Sequence, residues 1–326
     1  MKLGILGTGQ IVNTLMGIIQ KLPFEKVYVL GTEHSRQKVE DMVSTNHLDG
    51  AFFNYEELLN SEIDTVYVAL PNFLHYSFAK EAMEHGKHVI LEKPITANTS
   101  ELRELIALAQ KYQVMMVEAM NIHYMPAYQK LKAELPAIGR PRIVSMNYSQ
   151  YSSRYDAFKQ GEVLPAFDPK KAGGALMDLN VYNLHALVGL FGKPEQIHYT
   201  ANVERGIDTS GILTLRYPDF SAVCIAAKDC KAPVSCTIQG DTGALCVDQP
   251  MNQITAWRRL TNDGHEYAFA VDAPEQRHYY EFVEFIRMFD QKDSEKMKEM
   301  LTISLAVSEI MEKARNQAGI VFDNDR

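Results

Sequence analysis

The chain reads as a doubly wound α/β unit followed by a second unit built on antiparallel strands. Three observations predict this. Short apolar runs alternate with helix-period stretches over the first 120 residues, a glycine turn follows the first run directly, and longer alternating segments take over after about residue 121. Residues 2–6, 26–30, 65–70, 88–91 and 114–117 have the length and Val/Ile/Leu content of parallel strands covered on both faces. Between them, 73–85 and 100–112 carry amphipathic helix patterns. Thr99-Ser100-Glu101 offers a start for the second helix, and Gly86 stands where a left-handed cap closes the first. Residues 143–151, 196–203, 211–217, 221–227 and 235–239 alternate as antiparallel strands with one solvated face do. A helix over 175–190 interrupts them, ending at Gly192 with Pro194 beyond, and two more helices close the chain at about 275–289 and 295–317.

Composition removes several function classes. Of 326 residues, 33 are Lys or Arg and 41 are Asp or Glu, a net charge of −8 that lacks the cation excess phosphate backbones require, so no nucleic-acid partner is expected. No apolar run reaches the ~20 residues of a membrane span, and because Met1–Leu6 leads straight into the glycine turn, no secretory signal is expected. The cysteines (Cys224, Cys230, Cys236, Cys246) include no C-x-x-C pair and fit reduced thiols in a cytoplasmic protein. No His/Asp/Cys cluster has ligand spacing, so no metal is expected.

Gly7-Thr8-Gly9 is the first chemical signal. The first glycine allows a tight turn, and the second lets backbone N–H groups, with those of Gln10 and Ile11, approach a pyrophosphate at the start of the next helix. Val12 holds the place where a third small residue completes the fingerprint. Glu33 lies about 20 residues on, where an acidic side chain binds the adenosine ribose and repels a 2′-phosphate. That reading favours NAD, while His34 and Arg36 would welcome NADP.

Open α/β sheets bind ligands outside the carboxyl ends of their strands. Pro71-Asn72, Glu92-Lys93-Pro94 and Glu118 follow or end three of those runs. Lys93 there can hydrogen-bond a substrate oxygen and stabilise alkoxide charge. In the second unit Asp178 and Tyr182 are i,i+4 neighbours and His185 is three further on, so all three are expected on one helix face.

The segments GILGTG (4–9), VYVALPNFLH (66–75), GKHVILEKPI (86–95), EAM (118–120), GGALMDLNVY (173–182) and QAGIVF (317–322) resemble the glucose–fructose oxidoreductase/inositol dehydrogenase family, Gfo/Idh/MocA, over nearly the whole chain. The sequence is most similar to the dihydrodiol dehydrogenase-like branch. The resemblance implies a Rossmann domain for dinucleotide over residues 1–121. It also implies an α+β domain over 122–326, with a large, mostly antiparallel open sheet for substrate binding and oligomerisation. It implies an NAD(P)-dependent enzyme that moves hydride to or from a secondary alcohol or ketone of a sugar, cyclitol or diol. Lys93 and Tyr182, with Asp178 orienting Lys93 or a substrate hydroxyl, map onto the family's catalytic positions. Pro71, Asn72, His75 and Glu92 line the nicotinamide side by the same resemblance. Asn180, which replaces a glycine common there, joins Asn121, His123 and His185 as a candidate substrate contact. Partners are then a small polyol or sugar and a second copy of the chain, as homodimer or homotetramer. Two other readings stay open: a non-catalytic NAD(P)-sensing regulator, and a glycosidase that oxidises its sugar only transiently on bound NAD.

Overall fold

The structure, a computed structural model, describes residues 1–325. The chain divides into two compact units, Met1–Ala119 with His278–Leu305, and Met120–Arg277 with the residues from Ala306 onward.

The first unit holds six parallel strands: β1 (Lys2–Leu6), β2 (Lys26–Leu30), β3 (Gly50–Phe52), β4 (Thr65–Val68), β5 (His88–Glu92) and β6 (Met116–Ala119). They lie in the order β3-β2-β1-β4-β5-β6. The chain winds outward both ways from the β1/β4 junction, so that junction is the switch point where such sheets bind ligands. Helices cover both faces, which is why β4 and β6 are buried along their whole length. The helix Thr99–Tyr112 buries Leu102, Leu105 and Ala109, one stripe of its surface. Its cap is Asn98, whose side chain accepts from the Glu101 N–H, one residue earlier than the start expected from sequence. Gly86 has φ +69°, the left-handed cap expected of it.

The sequence division at residue 121 leaves the helix Arg277–Asp290 in the second domain, whereas from His278 it belongs to the first unit. The reason is aromatic packing: Phe282 sits edge-on to Tyr67 of β4, with ring centroids 5.2 Å apart, and to Phe24 at 6.2 Å.

The second unit holds eight strands: β7 (Pro141–Ser149), β8 (Gln196–Glu204), β9 (Ile207–Arg216), β10 (Ser221–Ala227), β11 (Ser235–Gly240), β12 (Gly243–Val247), β13 (Ala256–Thr261) and β14 (Glu266–Ala270). Their order is β14-β13-β12-β11-β7-β10-β9-β8. All neighbours are antiparallel except β7 and β10, which run parallel, so the sheet is mostly antiparallel as expected. The helices and the β8–β9 hairpin between those two strands return the chain to the same end of the sheet before β10 begins. One sheet face carries Val144, Met146, Leu213, Leu215, Cys224 and Ile238 into the core. The opposite face leaves Ile143 and Ile212 49% and 48% exposed. Among the described residues no helix is long and apolar enough to cross a membrane.

Candidate active site

The glycine turn separates two demands. Gly7 adopts φ +107°, and a Cβ on it would lie 2.9 Å from the Ala69 carbonyl oxygen, so the fold itself requires glycine there. Gly9 is extended, and a Cβ on it would meet no atom within 4 Å. No contact within the chain therefore requires glycine at this position. Gly9 caps the helix Gln10–Met16 without a side-chain acceptor, Gln10 is exposed and Ile11 half-buried.

Glu33 and His34 are exposed on the turn Glu33–Ser35 that follows β2. Arg36 grips the Glu33 carboxylate with two donors, at 2.6 and 2.9 Å, and lies 3.7 Å over the Phe53 ring. The Arg36 guanidinium holds the Glu33 carboxyl below its ordinary range. Lys38, not singled out from sequence, donates to the Thr8 carbonyl of the glycine turn at 2.7 Å.

The end of β5 is a socket. From Val89 to Thr99 every residue is buried except Lys93, which is half-buried. The Lys93–Pro94 peptide is cis. Both neighbouring carboxylates brace this loop from inside. Glu92 accepts from the Lys93 N–H at 3.2 Å and from the Tyr67 hydroxyl, and Glu118 accepts from the Ile95 N–H at 3.0 Å. Burial, and then the Glu281 carboxylate, push the Glu92 carboxyl above its ordinary value. Glu92, expected among the cofactor contacts, is thus a buried strut. His75, expected beside it, is fully buried, with ring nitrogens 2.8 and 3.0 Å from the Leu70 and Pro94 carbonyls. Burial pushes its imidazole below the ordinary value while the two carbonyls pull it up, and the ring sits between two strand-end loops. Pro71 is exposed and Asn72 half-buried beside them.

In the second unit the expected helix over 175–190 is not uniform. Leu176–Asn180 forms a π-helical turn, and Val181–Phe191 continues as α-helix. Wide turns of this kind frequently mark functional sites. This one is pinned at both ends. Leu176 N–H donates to Asp208 Oδ2 at 2.6 Å, and the Asn180 side chain donates to the Cys224 carbonyl at 3.2 Å. Burial raises Asp208 to about 6. From Ala172 to Val188 every residue is buried except Asp178 and Tyr182. Tyr182 lies against Tyr148, centroids 6.0 Å apart.

His185 does not share that face. At 1% exposure it is turned into the unit's core, where its Nδ1 meets His123 Nε2 at 3.1 Å. His123 and Asn121 are buried too, Asn121 donating to the Asn252 carbonyl at 3.1 Å. Asn180 is fully buried, and its carbonyl accepts from Asn183. The four expected substrate contacts are thus packed within this unit. Sequence reasoning missed Lys228, whose buried ammonium donates to the Asp178 carboxylate. The only local signal was a lysine ending the alternation of β10. Among the described residues no group of three His, Cys, Asp or Glu is placed to hold a metal.

Comparison with known proteins agrees with this architecture. The family described as "Oxidoreductase family, NAD-binding Rossmann fold" matches residues 1–120, and the "GFO/IDH/MocA C-terminal domain" matches residues 128–246. The chain is 33% identical over 333 residues to scyllo-inositol 2-dehydrogenase (NADP(+)) IolU of Bacillus subtilis (strain 168), covering 100% of this chain and 99% of that one. It is 27% identical over 340 residues to trans-1,2-dihydrobenzene-1,2-diol dehydrogenase of Danio rerio, covering 99% and 98%. Its fold matches that of KijD10, a 3-ketoreductase from Actinomadura kijaniata in complex with TDP-benzene and NADP, with a TM-score of 0.81 at 20% identity over 97% of both chains.

Proposed function

We propose that this chain, which belongs to the GFO/IDH/MocA oxidoreductase family, catalyses hydride transfer between a nicotinamide dinucleotide and a secondary alcohol or ketone of a sugar, cyclitol or diol. The names of the inositol and dihydrodiol dehydrogenases to which it is similar support that substrate class. The first unit binds the dinucleotide through Gly7, Thr8, Gly9 and the end of β2, and the second binds substrate. Lys93, Asp178 and Tyr182 are the working side chains. One observation carries that assignment: each stands half-exposed in a stretch that is otherwise buried. A fold that shields every neighbour but presents a lysine, an aspartate and a tyrosine spends its exposure on proton and charge transfer.

The bound dinucleotide supplies or accepts the hydride. In the reductive direction the Lys93 ammonium donates a hydrogen bond to the substrate carbonyl oxygen and stabilises the charge that develops on it. Tyr182 gives that oxygen its proton. Asp178 accepts a hydrogen bond from a neighbouring substrate hydroxyl and so sets its orientation. Oxidation runs the same roles backwards. Incubating the protein with scyllo-inositol, a trans-dihydrodiol and a panel of aldoses and their ketones, with either cofactor, tests the reading by NAD(P)H absorbance. Turnover of at least one class is expected. Tight cofactor binding with no turnover on the whole panel would favour a regulator instead.

Cofactor choice rests on the Glu33–Arg36 pair. Glu33 alone would repel a 2′-phosphate, but the guanidinium that grips it can turn to that phosphate. NAD and NADP are therefore expected to bind within about tenfold of each other, and Arg36→Ala to weaken NADP by about tenfold while sparing NAD. Calorimetric titration of both cofactors checks this. NAD binding more than about a hundredfold tighter in the unaltered protein would return the choice to Glu33 alone.

The partly exposed apolar side chains on the outer face of the second sheet, Ile143, Ile212, Val223 and Ile225, lie on adjacent strands. Such a face is an association surface, and a homodimer or homotetramer is expected. A monomeric mass at micromolar concentration in light scattering would oppose it.

A further inference from the structure

We infer that Lys228 is a positioning residue for the reaction proposed above: from a buried seat it holds the Asp178 carboxylate in one orientation toward substrate. The ion pair is lopsided. The Lys228 side chain is 4% exposed and that of Asp178 39%, so the cation is sunk in the unit while the anion stays at its surface. The ammonium lies 5.1 Å over the Phe167 ring. The lysine backbone is fixed on both sides, its N–H donating to the Thr209 carbonyl at 2.8 Å and its carbonyl accepting from the Ser152 N–H at 2.9 Å.

Stability does not account for this arrangement. Removing an ammonium from water is costly, and replacing a buried charge by an apolar side chain of similar volume is often neutral or stabilising. A methionine reaching from position 228 would fill the same space beside Phe167. What only the lysine supplies is a fixed positive charge beneath a half-exposed carboxylate. That carboxylate sits on the π-helical turn, which its own backbone hydrogen bonds also hold: Asp178 N–H donates to the Gly174 carbonyl at 3.1 Å. An anion held this way can accept from a substrate hydroxyl without swinging. Lys228 also acts on Asp208 on β9, whose carboxyl burial raises and the ammonium draws downward. Asp229, next in the chain, is engaged by the hydroxyls of Thr209 and Ser210 at 2.7 Å each.

The full-length protein with Lys228→Met tests the inference in two ways. First, carboxyl-carbon NMR follows the titration of Asp178 with and without the substitution, a reading that needs no substrate. Losing the ammonium should raise the titration midpoint of Asp178 by about one pH unit or more, whereas an unchanged midpoint would overturn the proposal. Second, turnover is measured on the panel substrate that the unaltered protein uses best. Lys228→Met should lower kcat by ~10–100-fold, with cofactor affinity and thermal midpoint kept. Asp178→Asn with Lys228→Met should be no slower than Asp178→Asn alone, because one residue acts through the other. Multiplying effects, full activity in Lys228→Met, or a loss of cofactor binding and thermal stability together with turnover would each overturn it. Lys228→Arg keeps the charge and should recover part of kcat. Absence of turnover in the unaltered protein counts against the enzymatic reading, and the NMR titration still decides the role of Lys228.

Discussion

Tyr182→Phe is expected to slow turnover by ~10²–10⁴-fold, the usual reach of general acid–base catalysis. The substitution removes one hydroxyl from a half-exposed ring that keeps its contact with Tyr148, so folding should be unaffected. Cofactor affinity should stay within about twofold, since the dinucleotide is assigned to the first unit and Tyr182 stands in the second. Lys93→Met should be at least as damaging, because it removes the donor to the substrate oxygen and a positive charge together. Combining the two should cost little more than the worse of them, as residues that serve one step are not additive. Steady-state kinetics on the best panel substrate, with cofactor titrations alongside, check all three. Near-normal turnover in Tyr182→Phe would remove Tyr182 as the proton carrier.

The largest effect on stability is expected at Phe282. Its ring is 1% exposed and touches Tyr67, Phe24 and Phe285 edge-on. Phe282→Ala should therefore destabilise the first unit by about 3–5 kcal/mol, the usual cost of emptying an aromatic core site. Phe282→Leu, which leaves a smaller void, should cost less. Urea unfolding followed by circular dichroism measures both. The damage should also reach the β5 loop, because Tyr67 leans on Phe282 and donates to Glu92, the strut beneath the Lys93 N–H. Turnover in folded Phe282→Leu should accordingly fall while the affinity for cofactor holds. If Phe282→Ala unfolds with the midpoint of the unaltered protein, the helix Arg277–Asp290 is not part of the first unit's core.

The two sheets were legible in the sequence to different degrees, for physical reasons. Strands β1, β4 and β5 announce themselves because burial on both faces demands runs of apolar residues. Gly50–Phe52 is three residues long and too short to show a period, so β3 stayed hidden. Strands β12, β13 and β14 mix Gly, Arg and Glu with apolar residues on a half-solvated face, and only pairing with neighbours makes them strands. The site divides in the same way. Lys93, Asp178 and Tyr182 stand out by motif and spacing, and the structure leaves all three half-exposed. The sequence could not say which way a strand-end side chain points. That is why Glu92 and Glu118 turn inward as struts, and why His75, His123, Asn180 and His185 are packed rather than presented. Lys228 was out of reach because its partner lies 50 residues away in the chain.

The parallel pairing of β7 with β10 also sets a clock for biosynthesis. Ile143 pairs with Ser221 and, on its other side, with Gln239. A ribosome adding about 5–20 residues per second takes several seconds to reach β10 and longer to reach β11. Throughout that interval β7, carrying Ile143, Val144 and Met146, has both edges unpaired. A nascent chain halted between the two strands would display an adhesive ribbon to its neighbours. Translation that pauses after residue 149 would prolong that exposure.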